Sequence, residues 1–373
     1  MTTDMTRRTI LQMAGASSLA AAASAAVRAE GNAGGGPTFA NRTPMRVGMV
    51  TLRVRKLDPV ADFYRDAIGL AVMERSATSA TLGAGGVKLL VLEAYPDAAE
   101  ESKRAAGLYH TAFLMPTRKD LARWLVHAAA NRIPLTGFAD HLVSESVYLD
   151  DPEGNGIEVY ADRAPETWKW EAGSVAMATD QLDIDGLLAL TDTRTTSYAK
   201  APDDVRIGHM HLRVGDLEQA DRFYGGAIGF DPTRKRSGAA FLSSGRYHHH
   251  LAINVWQSAG AGPRDDAAVG LVWFSLEITA ERAGEQKVRV AFKDSGPGID
   301  PEGLERMFEP FFTTKDGGTG LGLAMANKIV TAHGGSIEFR NAERGAVFTI
   351  VLPVGSPARE KTEAAESVLA ASD

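Results

Sequence analysis

Four stretches carry residues whose types could do chemistry together. Glu158 lies in Asp140–Tyr160, DHLVSESVYLDDPEGNGIEVY, downstream of His141 and Tyr148. His110 lies in GLYHTAFLM (107–115), His209 in IGHMHLRV (207–214), and His248, His249 and His250 follow Tyr247 in YHHHLA. Two imidazoles and one carboxylate that leave coordination positions open suit non-haem Fe(II) and oxygen chemistry. The chain has no cysteine, so thiolate metal sites, cysteine nucleophiles and disulfides are excluded. Each histidine alone also reads as a buried, hydrogen-bonded strand residue. His211, two positions past His209, shows nothing that singles it out as a ligand, and the His248–His250 run also reads as a solvated loop patch.

The elements that must position these groups are strands. Val143–Leu149 and Ile157–Tyr160 are expected as a hairpin around the turn 150–156, where Asp151-Pro152 and Gly154-Asn155-Gly156 supply turn chemistry. Alternation then sends Glu158 and Tyr160 to one face and Ile157 and Val159 to the other.

The chain repeats itself. Val47–Val54, Leu57–Tyr64 and Ala67–Leu70 return as Ile207–Val214, Leu217–Tyr224 and Ala227–Phe230 at a constant offset of 160 residues. Each copy reads as a strand, then a helix with its apolar residues on one face, then further strands: 80–83 and 87–93 in the first, 239–243 and 248–256 in the second. Asp58-Pro59 is expected as helix cap and first residue, and Gly69 and Gly229 as helix stops. A weaker copy starts at Gly107 and continues through a helix at 119–131. A fourth starts at Gly270 and loses the pattern after Ile278. At the first-strand position the four copies carry Met49, His110, His209 and Trp273. Only the second and third offer a ligand, so modules 2 and 3 are expected to meet at the site.

This β-α-β-β-β pattern, with GLYHTAFLMPTRKDLARWL, DHLVSESVYLDDPEGNGIEVYADRAPETW and YHHHLAINVW, resembles the vicinal-oxygen-chelate superfamily over about residues 45–278. Within it the chain resembles the extradiol ring-cleaving dioxygenases of the catechol-2,3-dioxygenase group. The resemblance implies Fe(II), with Mn(II) as the alternative ion, held by His110, His209 and Glu158. It implies a small aromatic diol and O2 as substrates. It gives acid–base work to His249, and places Tyr148 and His141 as hydrogen-bonding groups beside the diol and the oxygen. Other enzymes of the superfamily, such as isomerases, epimerases and thiol transferases, are the nearer rivals.

After Ile278 a second resemblance begins. KVRVAFKDSGPGI, MFEPFFTTK and GTGLGLAM are similar to the C-terminal two-thirds of the ATPase domain of sensor histidine kinases. That resemblance implies Asp294 on the adenine of ATP, and Gly296, Gly298, Lys315, Gly318, Gly320 and Gly322 around the phosphates. No NxxxNAxxA-type run precedes Asp294, so Mg²⁺ coordination, and with it kinase activity, is not expected.

The fold class is therefore α+β: repeated β-α-β-β-β modules with a truncated fourth, followed by a partial α/β-sandwich ATPase domain. The expected divisions are a twin-arginine-type signal peptide at 1–29 (Arg7-Arg8, then an Ala-rich run) and a flexible linker at 30–44. Modules 1 and 2 then occupy 45–165, an inter-module connection 166–204, module 3 with the first strand of module 4 205–278, the ATPase fragment 279–355 and a polar tail 356–373. The signal implies a periplasmic or extracellular location, or a cytoplasmic one where it is not used. Net charge of −7 disfavours nucleic acid as a partner, the apolar run is too short and Ala-rich for a stable membrane span, and self-association is the remaining partner expectation. The cross-class alternatives are an ATP-binding signalling module and a non-functional chimera of two truncated domains.

Overall fold

The computed structural model describes residues 38–194, 198–278, 287–293, 298–310, 312–313, 322–341 and 345–353. The chain divides into two compact units, 1–279 and 280–373. Asp294, Gly296, Lys315, Gly318, Gly320, the expected signal peptide and the polar tail lie outside the described residues.

The first unit is built from four-stranded modules. Module 1 supplies β1 (Met45–Val54), α1 (Leu57–Phe63), β2 (Ala71–Arg75), β3 (Ser79–Ala84) and β4 (Val87–Ala94). Module 2 supplies β5 (Gly107–Leu114), α2 (Arg118–Ala130), β6 (Gly137–Asp140), β7 (Ser144–Asp150) and β8 (Gly156–Asp162). A connection carries β9 (Trp170–Glu171), β10 (Ser174–Val175) and α3 (Ile184–Leu188). Module 3 supplies β11 (Arg206–Arg213), α4 (Leu217–Asp221), β12 (Asp231–Arg236), β13 (Ala239–Ser243) and β14 (Leu251–Asn254), and β15 (Gly270–Ile278) follows.

Modules pair crosswise. The eight-stranded sheet runs β12-β13-β14-β11-β5-β8-β7-β6, so modules 2 and 3 share it. The five-stranded sheet runs β15-β1-β4-β3-β2, which joins module 1 to the one strand of module 4. The two central seams match in register: His211 faces His110 across antiparallel β11 and β5, and Thr51 faces Trp273 across antiparallel β1 and β15. Strand parity separates two apolar clusters. Ile157, Val159, Ile207, Met210 and Leu212 join the main core with α2 and module 1, whereas Ala112, Leu114, Tyr160, Phe241 and Ala252 line the opposite face.

Local chemistry explains the joints. α1 begins at Leu57, so Asp58 and Pro59 stand inside its first turn instead of capping it. The Glu153 carboxylate, from the β7–β8 turn, instead accepts the Arg55 and Lys56 backbone N–H groups at 2.8 and 2.6 Å. The helices of modules 1 and 3 each end in a π-helical turn that stops at a left-handed glycine, Gly69 (φ 84°) and Gly229 (φ 95°). The β7–β8 turn closes on Asp151, whose carboxylate accepts the backbone N–H groups of Glu153 (2.8 Å) and Asn155 (2.9 Å) and the Asn155 amide (2.8 Å).

Two expectations need correction. Residues 38–44, read as the end of a flexible linker, form a 3-10 turn (Phe39–Arg42) with Ala40 and Thr43 buried. The His248–Trp256 strand is shorter, Leu251–Asn254, although the His250 backbone still bonds to Leu242 and Met210 on the neighbouring strands.

The second unit, by itself, holds a three-stranded antiparallel sheet in the order β16 (Lys287–Lys293), β18 (Ala346–Pro353), β17 (Ser336–Asn341), with helices α5 (Pro301–Arg306) and α6 (Gly322–Ala332). Gly298 is left-handed (φ 84°), and the Asn341 side chain both accepts from and donates to the Ile299 backbone, at 2.9 and 2.8 Å. Gly322 opens α6. Among the described residues no helix is long and apolar enough to cross a membrane.

Candidate metal centre

β5, β8 and β11 each aim one polar side chain at a common point. Glu158 Oε2 lies 2.9 Å from His110 Nε2 and 3.1 Å from His209 Nε2, and the two imidazole Nε2 atoms are 3.3 Å apart. All three residues are buried. Donors about 2.1 Å from a common ion stand about 3.0 Å apart when their bonds to it are at right angles. The observed triangle therefore fits one face of a coordination shell.

The sheet irregularities bring this about. β11 bulges at Gly208, between Ile207 and His209, and β5 bulges at Tyr109, opposite the step from His211 to Leu212. A Cβ on Gly208 would stand 1.8 Å from Tyr160 Oη, so only glycine lets that hydroxyl lie under the ligands.

Electrostatics favours a cation at the triangle. Burial lowers His209 from its ordinary value to about 4, so the ring is neutral. Burial alone would raise Glu158, but the imidazoles beside it outweigh that and hold its carboxyl well below the usual range. The donors thus present a carboxylate and two imidazole nitrogens in a buried site, a set that a divalent ion would complete.

Around the triangle, Tyr148 stands directly across the β7–β8 ladder from Glu158. Burial, then the Glu158 charge, push its hydroxyl well above the ordinary phenol value. The Tyr148 hydroxyl is 2.7 Å from His141 Nε2, and His141 Nδ1 is 2.7 Å from the Ala178 carbonyl. A carbonyl only accepts, so His141 carries a proton on Nδ1, and its Nε2 shares the second hydrogen bond with the Tyr148 hydroxyl.

Ala178 belongs to a strap between modules 2 and 3. Its Asp180 pairs with Asp140 at the end of β6, and β10 lies against β12. The Arg236 guanidinium on β12 donates to the Met177 carbonyl. The two outer strands of the eight-stranded sheet are thereby bridged over the ligand-bearing face.

His249 lies with its ring centroid 4.1 Å from that of His209. Burial, then the neighbouring His209, lower it well below the ordinary histidine value. His248 and His250 are fully buried, which corrects the reading of this run as a solvated patch. His250 Nε2 reaches Thr43 Oγ1 at 3.0 Å and the Ala40 carbonyl at 3.2 Å, while its Nδ1 faces Ser243 Oγ at 3.1 Å.

Sequence reasoning passed over several neighbours. His211 is not part of the triangle, but its ring is 4.8 Å from that of His110 and its Nε2 is 2.9 Å from Asn254 Nδ2. Half-exposed Tyr109 and Trp256 pack against it at 4.6 and 5.4 Å. Asp162 and Tyr247, described below, also had no signal of their own. Asp162 shares the parity of Glu158 on β8, which was the one available cue.

Comparison with known proteins shows the family of the chain. The family described as "Glyoxalase/Bleomycin resistance protein/Dioxygenase superfamily" matches residues 46–159. A catechol-2,3-dioxygenase of Bacillus subtilis (strain 168) is 41% identical over 268 residues, which covers 70% of this chain and 92% of the relative. The chain belongs to the glyoxalase/bleomycin resistance/dioxygenase superfamily and has a catechol-2,3-dioxygenase homologue. Glyoxalase I from Zea mays aligns over 64% of this chain and 76% of its own, at 15% identity and a TM-score of 0.39.

The family described as "Histidine kinase-, DNA gyrase B-, and HSP90-like ATPase" matches residues 254–356. The sensor histidine kinase ZraS of Salmonella typhimurium (strain LT2) is 48% identical over 81 residues, covering 21% of this chain. The chain spans 17% of that kinase's length.

Proposed function

We propose that the first unit is an extradiol dioxygenase that opens a catechol-type ring with O2, using Fe(II) held by His110, His209 and Glu158. One observation carries the reading: three buried donors, two nitrogens and one carboxylate oxygen, lie at mutual distances of 2.9, 3.1 and 3.3 Å in a homologue of a catechol-2,3-dioxygenase. His110, His209 and Glu158 would hold the metal, which when bound would supply a Lewis-acid centre for a diol and O2.

The chain's own residues would supply the rest. The neutral His249 ring, close to His209, can take a phenolic proton. Tyr148 keeps its proton at neutral pH and can donate a hydrogen bond to a developing oxyanion while His141 orients it. The apolar lining and the strap would exclude water from the reacting face.

The test is metal content together with catechol-dependent O2 uptake and the yellow ring-fission product. Glu158→Ala should abolish product and lower bound iron while leaving the fold; retained activity would remove the assignment.

For the second unit, similarity to sensor kinases supports nucleotide binding, and phosphotransfer is not proposed. Binding of an ATP analogue that is lost in Asp294→Ala would support this reading, and no binding to the full chain would dismiss it.

A further inference from the structure

β8 places three polar side chains on one face at alternate positions: Glu158, Tyr160 and Asp162. Glu158 faces the metal donors. Asp162, at the far end, meets the loop that carries Tyr247, His248 and His249. Tyr247 Oη donates to Asp162 Oδ1 at 3.1 Å, and Tyr160 Oη lies 2.8 Å from Tyr247 Oη. His248 Nε2 lies 2.9 Å from the same Asp162 Oδ1. On the other side of that ring, His248 Nδ1 lies 2.8 Å from His249 Nδ1. His248 is fully buried, with Trp168 and Tyr247 rings at 5.1 and 4.0 Å.

We propose that Asp162 and His248 are positioning residues that fix His249 as its Nδ1–H tautomer, leaving Nε2 as the free base. The carboxylate only accepts, so the proton between Asp162 and His248 sits on His248 Nε2. In this arrangement that is the one proton His248 carries, and its Nδ1 accepts. Two Nδ1 atoms at this separation share one proton, and it must come from His249. The far nitrogen of His249 is left unprotonated. A carboxylate that orders an imidazole and sets its tautomer is a known way to hold a base ready. Here one more imidazole stands between the two.

This rests on the reading of His249 as the acid–base group. In that step the substrate O–H bond breaks and a bond from hydrogen to His249 Nε2 forms. The electron pair stays on the substrate oxygen. The positive charge gained by His249 is met by Asp162 through His248. Tyr247 bonds to both Tyr160 and Asp162, which ties the loop that carries His248 and His249 to the strand that bears Glu158.

The direct test is the protonation state of the two ring nitrogens. Full-length protein with ¹⁵N-labelled histidine, loaded with Zn(II) to stay diamagnetic, would be read by long-range ¹H–¹⁵N correlation, with His249→Gln used for assignment. The expected pattern is a protonated Nδ1 and an unprotonated Nε2 on His249, reversed or averaged in Asp162→Asn. A protonated Nε2 in the unsubstituted protein, or a pattern unchanged in Asp162→Asn, overturns the proposal. Kinetics on the iron-loaded protein gives the second readout. Asp162→Asn should lower kcat at least about 10²-fold, with KM and metal content within about twofold, and Asp162→Glu should recover part of the loss. The base reading is checked separately: unchanged turnover in His249→Gln would sink that reading and leave the nitrogen pattern standing.

Discussion

His110 and His209 meet Nε2 to Nε2, 3.3 Å apart, across the antiparallel seam between β5 and β11. The two nitrogens can share a proton only when one ring carries it and the other does not, and Glu158 Oε2 lies within 3.1 Å of both. The contact is a junction between modules, so whatever stabilises the seam also holds the ligands in register.

Removing one ligand should therefore separate binding from folding. In His209→Ala the two remaining donors should lose bound iron, and with it at least about 99% of ring-opening activity, since three protein ligands are what defines such a site. Metal analysis alongside circular dichroism checks this. Full iron content in the variant would place the metal elsewhere.

Tyr148→Phe keeps the ring and deletes the hydroxyl that lies 2.7 Å from His141. The expected result is a fall in kcat of about 10²-fold, the low end for a positioned acid–base group, with iron content unchanged. Steady-state O2 uptake reads it. A change in KM alone would make Tyr148 a binding contact.

His250 gives a pH dependence. Burial lowers it to about 3, whereas an unfolded histidine titrates near about 6.5. The folded state holds the ring neutral, so its contribution is complete above the unfolded value. Stability is lost as pH falls from about 6.5 towards about 3, because the unfolded chain binds the proton first. Asp151, raised by burial to about 6, has the opposite sign and offsets part of this between about 6 and 4. Denaturant midpoints measured from pH 7 to pH 4 should fall in the unsubstituted protein and fall less steeply in His250→Gln.

Gly208→Ala should be costly for a nearby reason. Its Cβ would meet Tyr160 Oη at 1.8 Å and Cζ at 2.8 Å, so the ring must move. A loss of about 1–3 kcal/mol is expected from overpacking. Tyr160→Phe in the same chain should restore part of it, a non-additive pair read from the double-mutant cycle. Equal and additive losses would show that the two sites do not touch.

Much of this was legible from residues alone. The offset between Val47 and Ile207 exposed the modules, and the comparison of Met49, His110, His209 and Trp273 picked the two whose imidazoles meet at Glu158. Alternation put Glu158 and Tyr160 on one face, as found. What escaped were contacts set by tertiary return. Residues 38–44 look like a linker because they are short and polar, yet Thr43 is anchored by His250 from 207 positions away. Asp58-Pro59 looks like a cap, yet the carboxylate at that helix start comes from Glu153. His248 looks like surface because histidine runs in loops often are, and only the Asp162 carboxylate and the Trp168 ring explain its burial. In each case the deciding partner lies far along the chain, where periodicity carries no information.

The crosswise pairing of modules has a consequence for how the chain tolerates rearrangement. Beyond β5, the ligand-bearing sheet continues through β8, β7 and β6, whereas among the described residues the other sheet ends at β15. The three strands without a counterpart would extend a sheet whose seam carries Thr51 and Trp273 in place of His211 and His110. A chain that leaves the module pattern after Ile278 thus loses scaffold and keeps all three donors, whereas one that left it before His209 would lose one of them.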